Sequence, residues 1–473
     1  MASSQELFSA KRACLVAPAG YGKTHLITEA VALAQDKPQL ILTHTHAGVD
    51  AIQSKLRKGN AKSNQYQVET IDGWAMKWAK AYPSISGLDP ATCAFEIDWD
   101  LIRRGIVEIL NHDFAHTIIS NSYSGIFVDE YQDCCPLQHQ FITSLGNILP
   151  IRVLGDPMQG IFDFGDNEIV HWENDVEEVF EPLPSLETPW RWNGVNTALG
   201  RSLHTLRECL EARRQVDISH RAYNSIEFIQ SDDRGIDQTA RNLFYKKLRN
   251  LQNGERIALL FPQRWQSNNF ARGLRGLATA LETVECKEVS KDIQNVIEAD
   301  GVDRGLKLFA LLKKCMTSIP NVLATPVRHL KKGQFPTLGR LKSNRKQSEA
   351  FRKAIIHGDS PNLLDLIKSL QALPKVVVYR KEYLSRLVRA LRGCCADEDL
   401  SIQDSLACVR ERDRIIGRAN HGHVVGTTLL LKGLEFDHVI VVRAHEMDRK
   451  NLYVALTRGT KSVVVISSTN TFF

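Results

Sequence analysis

The sequence predicts an α/β protein built on two doubly wound parallel sheets, each carrying a mainly helical insertion. Three observations point there. Short β-rich runs alternate with helix-like segments through the first third of the 473 residues, the alternation resumes beyond residue 225, and a long helical stretch interrupts the second series. The first series of candidate strands is CLVAPA (14–19), QLILTHT (39–45), YQVETI (66–71), GIFVDE (125–130) and IRVLGD (151–156). The second is IEFIQ (226–230), RIALLFP (256–262), HVVGTTLL (423–430), DHVIVV (437–442) and SVVVIS (462–467). Parallel neighbours need a long crossover, and the helical segments between most of these runs supply it. The expected boundaries are a first domain over 1–185 with a short helical insertion at about 84–124, a second over 186–285 and 416–473, and a helical insertion over 286–415.

Bulk properties narrow the class. Hydrophobic residues make up 43% and charged residues 24%, ordinary for a soluble protein with sizeable cores. No run of about 18 apolar residues argues for a membrane span. The N-terminal stretch lacks the apolar core of a secretion signal, so a cytoplasmic protein is expected. None of the ten cysteines forms a C-x-x-C pair. The doublets Cys134-Cys135 and Cys394-Cys395 do not have zinc or iron–sulfur spacing, which leaves reduced, mostly buried thiols. A net charge of +6 permits nucleic-acid binding in a local groove without requiring it. The basic stretch 328–353 reads either as a solvated face or as a surface for phosphates or a partner.

The strongest local signal is APAGYGKTH, Ala17 to His25, between an apolar strand and a helical pattern. Gly20 and Gly22 let the backbone turn tightly and aim N–H groups at phosphate oxygens, and the helix start behind them favours an anion. In such a loop Lys23 meets the β- and γ-phosphates and Thr24 ligands magnesium. Ala17 stands where the strict pattern has glycine. The second half of the site is GIFVDEYQD, Gly125 to Asp133. Asp129 suits magnesium, directly or through water, and Glu130 suits orienting and deprotonating an attacking water. Two acids after a strand say little alone; paired with the upstream loop they say much.

These segments belong to an ordered series that resembles the UvrD/Rep/PcrA type of superfamily 1 helicase over nearly the whole chain. After APAGYGKT come LTHTHAGVDAIQSKL (42–56), VETIDGWA (68–75), VDEYQDCCPLQ (128–138) and VLGDPMQGIFDF (153–164). Then follow LETPWRWN (186–193), LLFPQRWQSNNFARGL (259–274), GTTLLLKGLEFDHVIVV (426–442) and NLYVALTRGTKSVVVIS (451–467). K-G-L-E-F and Y-V-A-L-T-R in that order near the end are highly specific.

The resemblance implies two RecA-like domains that hydrolyse ATP with Mg2+ in the cleft between them while the protein moves 3′ to 5′ on single-stranded DNA; the motifs do not exclude RNA. It implies Gln159 as a γ-phosphate sensor, Arg191 and Arg458 as arginine fingers, and Glu435 as a ribose contact. Trp190 stands in the adenine-stacking position, with an ordinary core tryptophan as the alternative. Phe162 and Phe164 stand where the family stacks aromatic rings on bases, with a packed strand face as the alternative. His44 takes the aromatic position of the second motif, and Trp74 is expected to help shape the same groove. Asp72, Gly160, Gly165, Pro189 and Leu429 depart from the family pattern, and Gln5 is a weak stand-in for its upstream adenine-reading glutamine. These departures fall on the groove and on coupling more than on the phosphate chemistry. Compact size further resembles the helicase-like subunit of Gabija-type anti-phage defence systems, which implies an OLD-family nuclease as partner. The competing reading is an ATP-binding, DNA-sensing regulatory subunit with little unwinding of its own.

Overall fold

A computed structural model describes residues 2–59, 61–89, 97–162, 168–283, 287–337, 343–416 and 422–473. Its strands are β1 (Arg12–Val16), β2 (Gln39–Thr43), β3 (Tyr66–Thr70), β4 (Gly125–Val128), β5 (Ile151–Gly155), β6 (Glu181–Pro182), β7 (Val216–Asp217), β8 (Ile226–Gln230), β9 (Ile257–Phe261), β10 (Thr279–Ala280), β11 (Val424–Thr427), β12 (Phe436–Val442), β13 (Gly459–Ser467) and β14 (Thr471–Phe472). They form two six-stranded parallel sheets, ordered β3-β2-β4-β5-β1-β6 and β10-β11-β9-β12-β13-β8, and an antiparallel pair of β7 with β14. The α/β class with two parallel sheets is as the sequence predicts.

Strands β2, β4 and β5 are buried along their whole length. Helices cover both faces of such a sheet, which is why these strands read as unbroken apolar runs rather than alternating ones. The helices Ile71–Ala81, Trp99–Ile109 and Pro136–Leu145 close one core through Ile71, Ile102, Ile106, Phe141 and Leu145. Each such side chain removed from water contributes about 1.5–3 kcal/mol. Threonines at strand ends start the next helices. Thr45 Oγ1 accepts from Gly48 N at 3.0 Å before His46–Lys58, and Thr70 Oγ1 accepts from Gly73 N at 3.0 Å before Ile71–Ala81.

The expected strand 423–430 is shorter than predicted. It ends at Thr427, and Thr428–Leu431 turns into a short helix. From 287 to 416 the described chain is helical, from Lys287–Glu298 to Ile402–Ile416, around a core that includes Leu312, Phe351, Leu370 and Leu387. The chain forms two compact units, 1–240 with 431–473, and 241–430. Among the described residues no helix is long and apolar enough to cross a membrane.

Candidate active site

All the contacts that follow lie in the unit of 1–240 and 431–473. β1 leads into a loop whose two glycines have left-handed backbones, Gly20 at φ +78° and Gly22 at φ +87°. Gly22 precedes the helix Lys23–Val31 without any side-chain cap, so the helix start is left to the loop itself. A Cβ at Gly20 would lie 2.8 Å from Arg191 Cβ, and one at Gly22 would lie 2.9 Å from Trp190 Cδ1. Only glycine fits either place. Ala17 is buried but has no positive φ, so glycine is not required there.

β4 delivers the acids. Lys23 Nζ stands 3.1 Å from Glu130 Oε1 and 3.5 Å from Asp129 Oδ1. Asp129 Oδ1 also accepts from Glu130 N at 2.9 Å. Glu130 has φ +59°, a costly backbone for a residue with a Cβ, and such strain collects at functional positions. Burial works against the charge on Lys23, yet Glu130, Asp129 and Asp156 outweigh it and its pKa rises. Burial likewise pushes Asp129 up. For Glu130, burial is overcome by Lys23 and Lys432, which bring the carboxyl down to about 2. The pair therefore differ: one acid is reluctant to ionise and the other is firmly ionised.

β5 brings the next residues. Asp156 is fully buried, and its carboxylate accepts from Ala19 N of the loop (3.1 Å), Gln159 Nε2 (2.8 Å) and Arg207 Nη1 (2.6 Å). Tyr453 Oη accepts from Ala19 N at 3.2 Å and from Arg207 Nη1 at 3.1 Å. Gln132 Oε1 accepts from Asp156 N at 2.9 Å, and Gln132 Nε2 donates to Glu130 Oε2 at 2.6 Å. Arg458 Nη2 donates to Gln159 Oε1 at 3.0 Å. A continuous polar path thus runs Lys23–Glu130–Gln132–Asp156–Gln159–Arg458. Burial lowers the Arg458 pKa to about 10, which leaves it charged at neutral pH.

Arg191 docks on the same loop from another side. Its backbone N donates to Gly20 O at 2.9 Å, Nη1 to Thr457 O at 2.6 Å and Nη2 to Glu435 Oε1 at 2.5 Å. Burial would raise the Glu435 pKa, but Arg191 holds it down. Trp190 is 59% exposed beside Gly22, so it is no core residue. Trp192, 1% exposed and donating from Nε1 to Gly459 O at 2.8 Å, fills the core instead.

The expected groove residues separate. Trp74 is 2% exposed, packed among Ile71, Ala75 and Ile102 with its ring 5.5 Å from Trp78. Buried there, it supports the fold and has no face open to a base, which corrects its expected place in the groove. His44 is half-buried with Nε2 3.4 Å from Cys134 Sγ, and burial brings its pKa to about 4, so the ring is neutral. Phe162 is half-buried, outside any strand, with Lys432 Nζ 5.0 Å from its ring centre. Phe164 lies outside the described residues. Asp72 is not a bare charge: Arg103 Nε and Nη2 donate to it at 3.0 and 2.8 Å, and Gln138 Nε2 at 2.9 Å.

Sequence reasoning missed Asp156, Gln132, Tyr453 and Arg207. The first three lie inside quoted motifs and needed geometry to reveal their partners. Arg207 left a trace of its own. It sits four residues after Leu203 and three before Leu210 on the buried face of the helix Thr197–Glu211, an odd place for an unpaired charge.

Residues 2–165 match the model of an AAA domain, and residues 413–467 that of the viral superfamily 1 RNA helicase core domain. In these two segments the chain is similar to an AAA domain and to a superfamily 1 helicase core domain. The first segment holds the glycine loop with Lys23, the mark of a P-loop NTPase. The arterivirus nonstructural protein 10 helicase, solved with DNA, is similar at 10% identity over 98% of this chain and 62% of its own, with a TM-score of 0.35. The Pif1 helicase from Candida albicans is similar at 13% identity over 53% of each chain, with a TM-score of 0.28. The chain thus spans less than two thirds of the length of either. No curated protein matches it in sequence.

Proposed function

We propose that this chain is a UvrD-like superfamily 1 motor that couples ATP hydrolysis to 3′-to-5′ movement on single-stranded DNA. One observation carries the reading: the polar path from Lys23 to Arg458 joins the loop lysine, the strand-end acids and an arginine into one site.

The residues fit a magnesium–nucleotide complex. The left-handed glycines leave a backbone cradle for phosphates, with Lys23 beside it. Asp129 and Thr24 would hold the ion, which takes most of its ligands from phosphate oxygens and water and neutralises their charge. Lys23 is engaged with two carboxylates, and arriving phosphates compete for it. As Lys23 turns to them, Glu130 loses the charge that most depresses its pKa and becomes a stronger base for the attacking water. Gln159 and Arg458, already hydrogen-bonded to each other, sense the terminal phosphate. Arg191 answers from the Gly20 side, and such guanidinium contacts raise rates by about 10³–10⁵. Trp190, exposed beside Gly22, stacks on the base, and Glu435 trades Arg191 for the ribose. Phe162 and His44 stack on nucleic-acid bases, which tolerates any sequence.

The UvrD-like motif order extends the proposal to a bacterial anti-phage system with an OLD-family nuclease partner, which co-purification with such a nuclease checks. The activity itself is tested by phosphate release with no nucleic acid, single-stranded DNA, duplex or RNA, alongside a directional strand-displacement substrate. The proposal expects single-stranded DNA to stimulate most. Tight ATP binding with turnover that no nucleic acid stimulates would overturn the motor reading in favour of a sensing subunit, and stimulation by RNA alone would overturn the substrate class.

A further inference from the structure

The side chain of Lys432 touches three functional segments at once. Its Nζ lies 2.6 and 2.5 Å from the two carboxylate oxygens of Asp133, beyond the strand-end acids. The same ammonium donates to the backbone carbonyl of Gln159. It also stands 5.0 Å from the centre of the Phe162 ring, within cation–π range. Lys432 is largely buried, and Asp133 more so. Asp133 takes two of the ammonium's three donors and the Gln159 carbonyl takes the third, so the lysine ties the acid to the backbone of Gln159.

We propose that Lys432 is a positioning residue that transmits occupancy of the Phe162 track to the hydrolytic site. The inference rests on the motor reading above. A base stacking on Phe162 competes for, or reshapes, the ring face that Lys432 uses. Any shift of the ammonium is felt at the Gln159 carbonyl, whose side chain bridges Asp156 and Arg458. The charged and titratable groups around the ammonium are Asp133 and Glu130 after β4, Lys23 behind the loop, and His44 after β2.

The test compares wild type with Lys432→Met, Lys432→Arg and Phe162→Leu. Phosphate release is measured with and without a single-stranded oligonucleotide, and oligonucleotide affinity is measured separately without nucleotide. Burial already brings Asp133 up to about 6, so in Lys432→Met it takes up a proton instead of leaving a bare buried charge. Lys432→Met is expected to cut the stimulation ratio about tenfold while oligonucleotide affinity changes less than about threefold, the size of a lost cation–π contact. Lys432→Arg, which keeps the charge, is expected to restore part of the ratio. If Lys432→Met does not fold, Lys432→Arg and Phe162→Leu carry the test, since both are expected to lower the ratio.

An unaltered ratio in the variants, or basal and stimulated rates falling together, would overturn the role of Lys432 and leave the motor reading standing. A wild-type protein that no nucleic acid stimulates would overturn the motor reading itself.

Discussion

Two buried charge networks in this molecule look alike in composition and differ in how completely they are satisfied. In the unit of 241–430, Arg380 is 3% exposed at its side chain and gives Nε to Glu282 (2.5 Å), Nη2 to Glu282 (2.7 Å) and Glu288 (2.6 Å), and Nη1 to Glu288 (3.1 Å). Asp292 there accepts from Lys314 and Tyr383, each at 2.7 Å. Every charge has a directed partner, as a structural cluster needs. Around Lys23, by contrast, one ammonium is spread over two acids at 3.1 and 3.5 Å, and one of them sits on a left-handed backbone. That network is held together but not saturated. The difference teaches that a buried lysine loosely shared between carboxylates is poised for another anion, whereas a forked arginine between glutamates is finished.

The comparison can be broken from either side. The largest effect belongs to Lys23→Ala, which should lower ATP turnover by roughly 10²–10³ or more, as loss of a charge-stabilising donor does. Its folding midpoint should move little, because the two acids left behind can share a proton. Arg380→Met should do the reverse. It removes the forked partner of Glu282 and Glu288 and leaves them only Arg264 and, for Glu288, Lys314; a broken buried pair costs up to about 3–5 kcal/mol of stability, read by urea unfolding, with turnover per folded molecule retained. If Arg380→Met instead spared stability and lost turnover, the division between finished and poised networks would be wrong.

A smaller effect concerns pH. His44 titrates near 4 when folded because burial disfavours its charge, well below an ordinary histidine. Between about pH 6.5 and 4 the unfolded chain therefore binds more protons at this position, and stability falls as pH falls through that window. The loss is at most about 3 kcal/mol. Unfolding at pH 7 and pH 5 should show a shallower decline in His44→Phe than in wild type, and equal declines would reject the buried neutral imidazole. Smallest of all, Trp190→Ala should raise KM for ATP about tenfold with kcat nearly kept, the size of one lost ring-on-base stack. A fall in kcat with KM unchanged would place Trp190 in the packing around Gly22 instead.

Much of this arrangement is legible in the sequence. The strands near the phosphate loop announced themselves as unbroken apolar runs because parallel sheets bury both faces. Lys23, Asp129 and Glu130 could be named because a tight glycine turn and a strand-end acid pair leave local patterns. What was not legible depends on partners far along the chain. Asp72 looked like a misplaced charge until Arg103, 31 residues away, was seen to hold it. Trp74 and Trp190 are the same residue type in equally short motifs, yet one is core and the other exposed, because tertiary packing decides and local pattern does not. The strand expected over 423–430 ran too long because Thr428–Leu431 is apolar enough to read as either element. Lys432 and Arg207 each gain meaning only from where several segments converge.

In the proposed motor, Arg458 completes the site that Lys23 begins. Binding of ATP and its turnover should therefore be measured side by side in Arg458→Ala. The expected result is affinity within a few fold of wild type and turnover lower by about 10³ or more. Wild-type turnover in Arg458→Ala would contradict the account, since the polar path from the phosphate loop would then end on a residue the chemistry does not use.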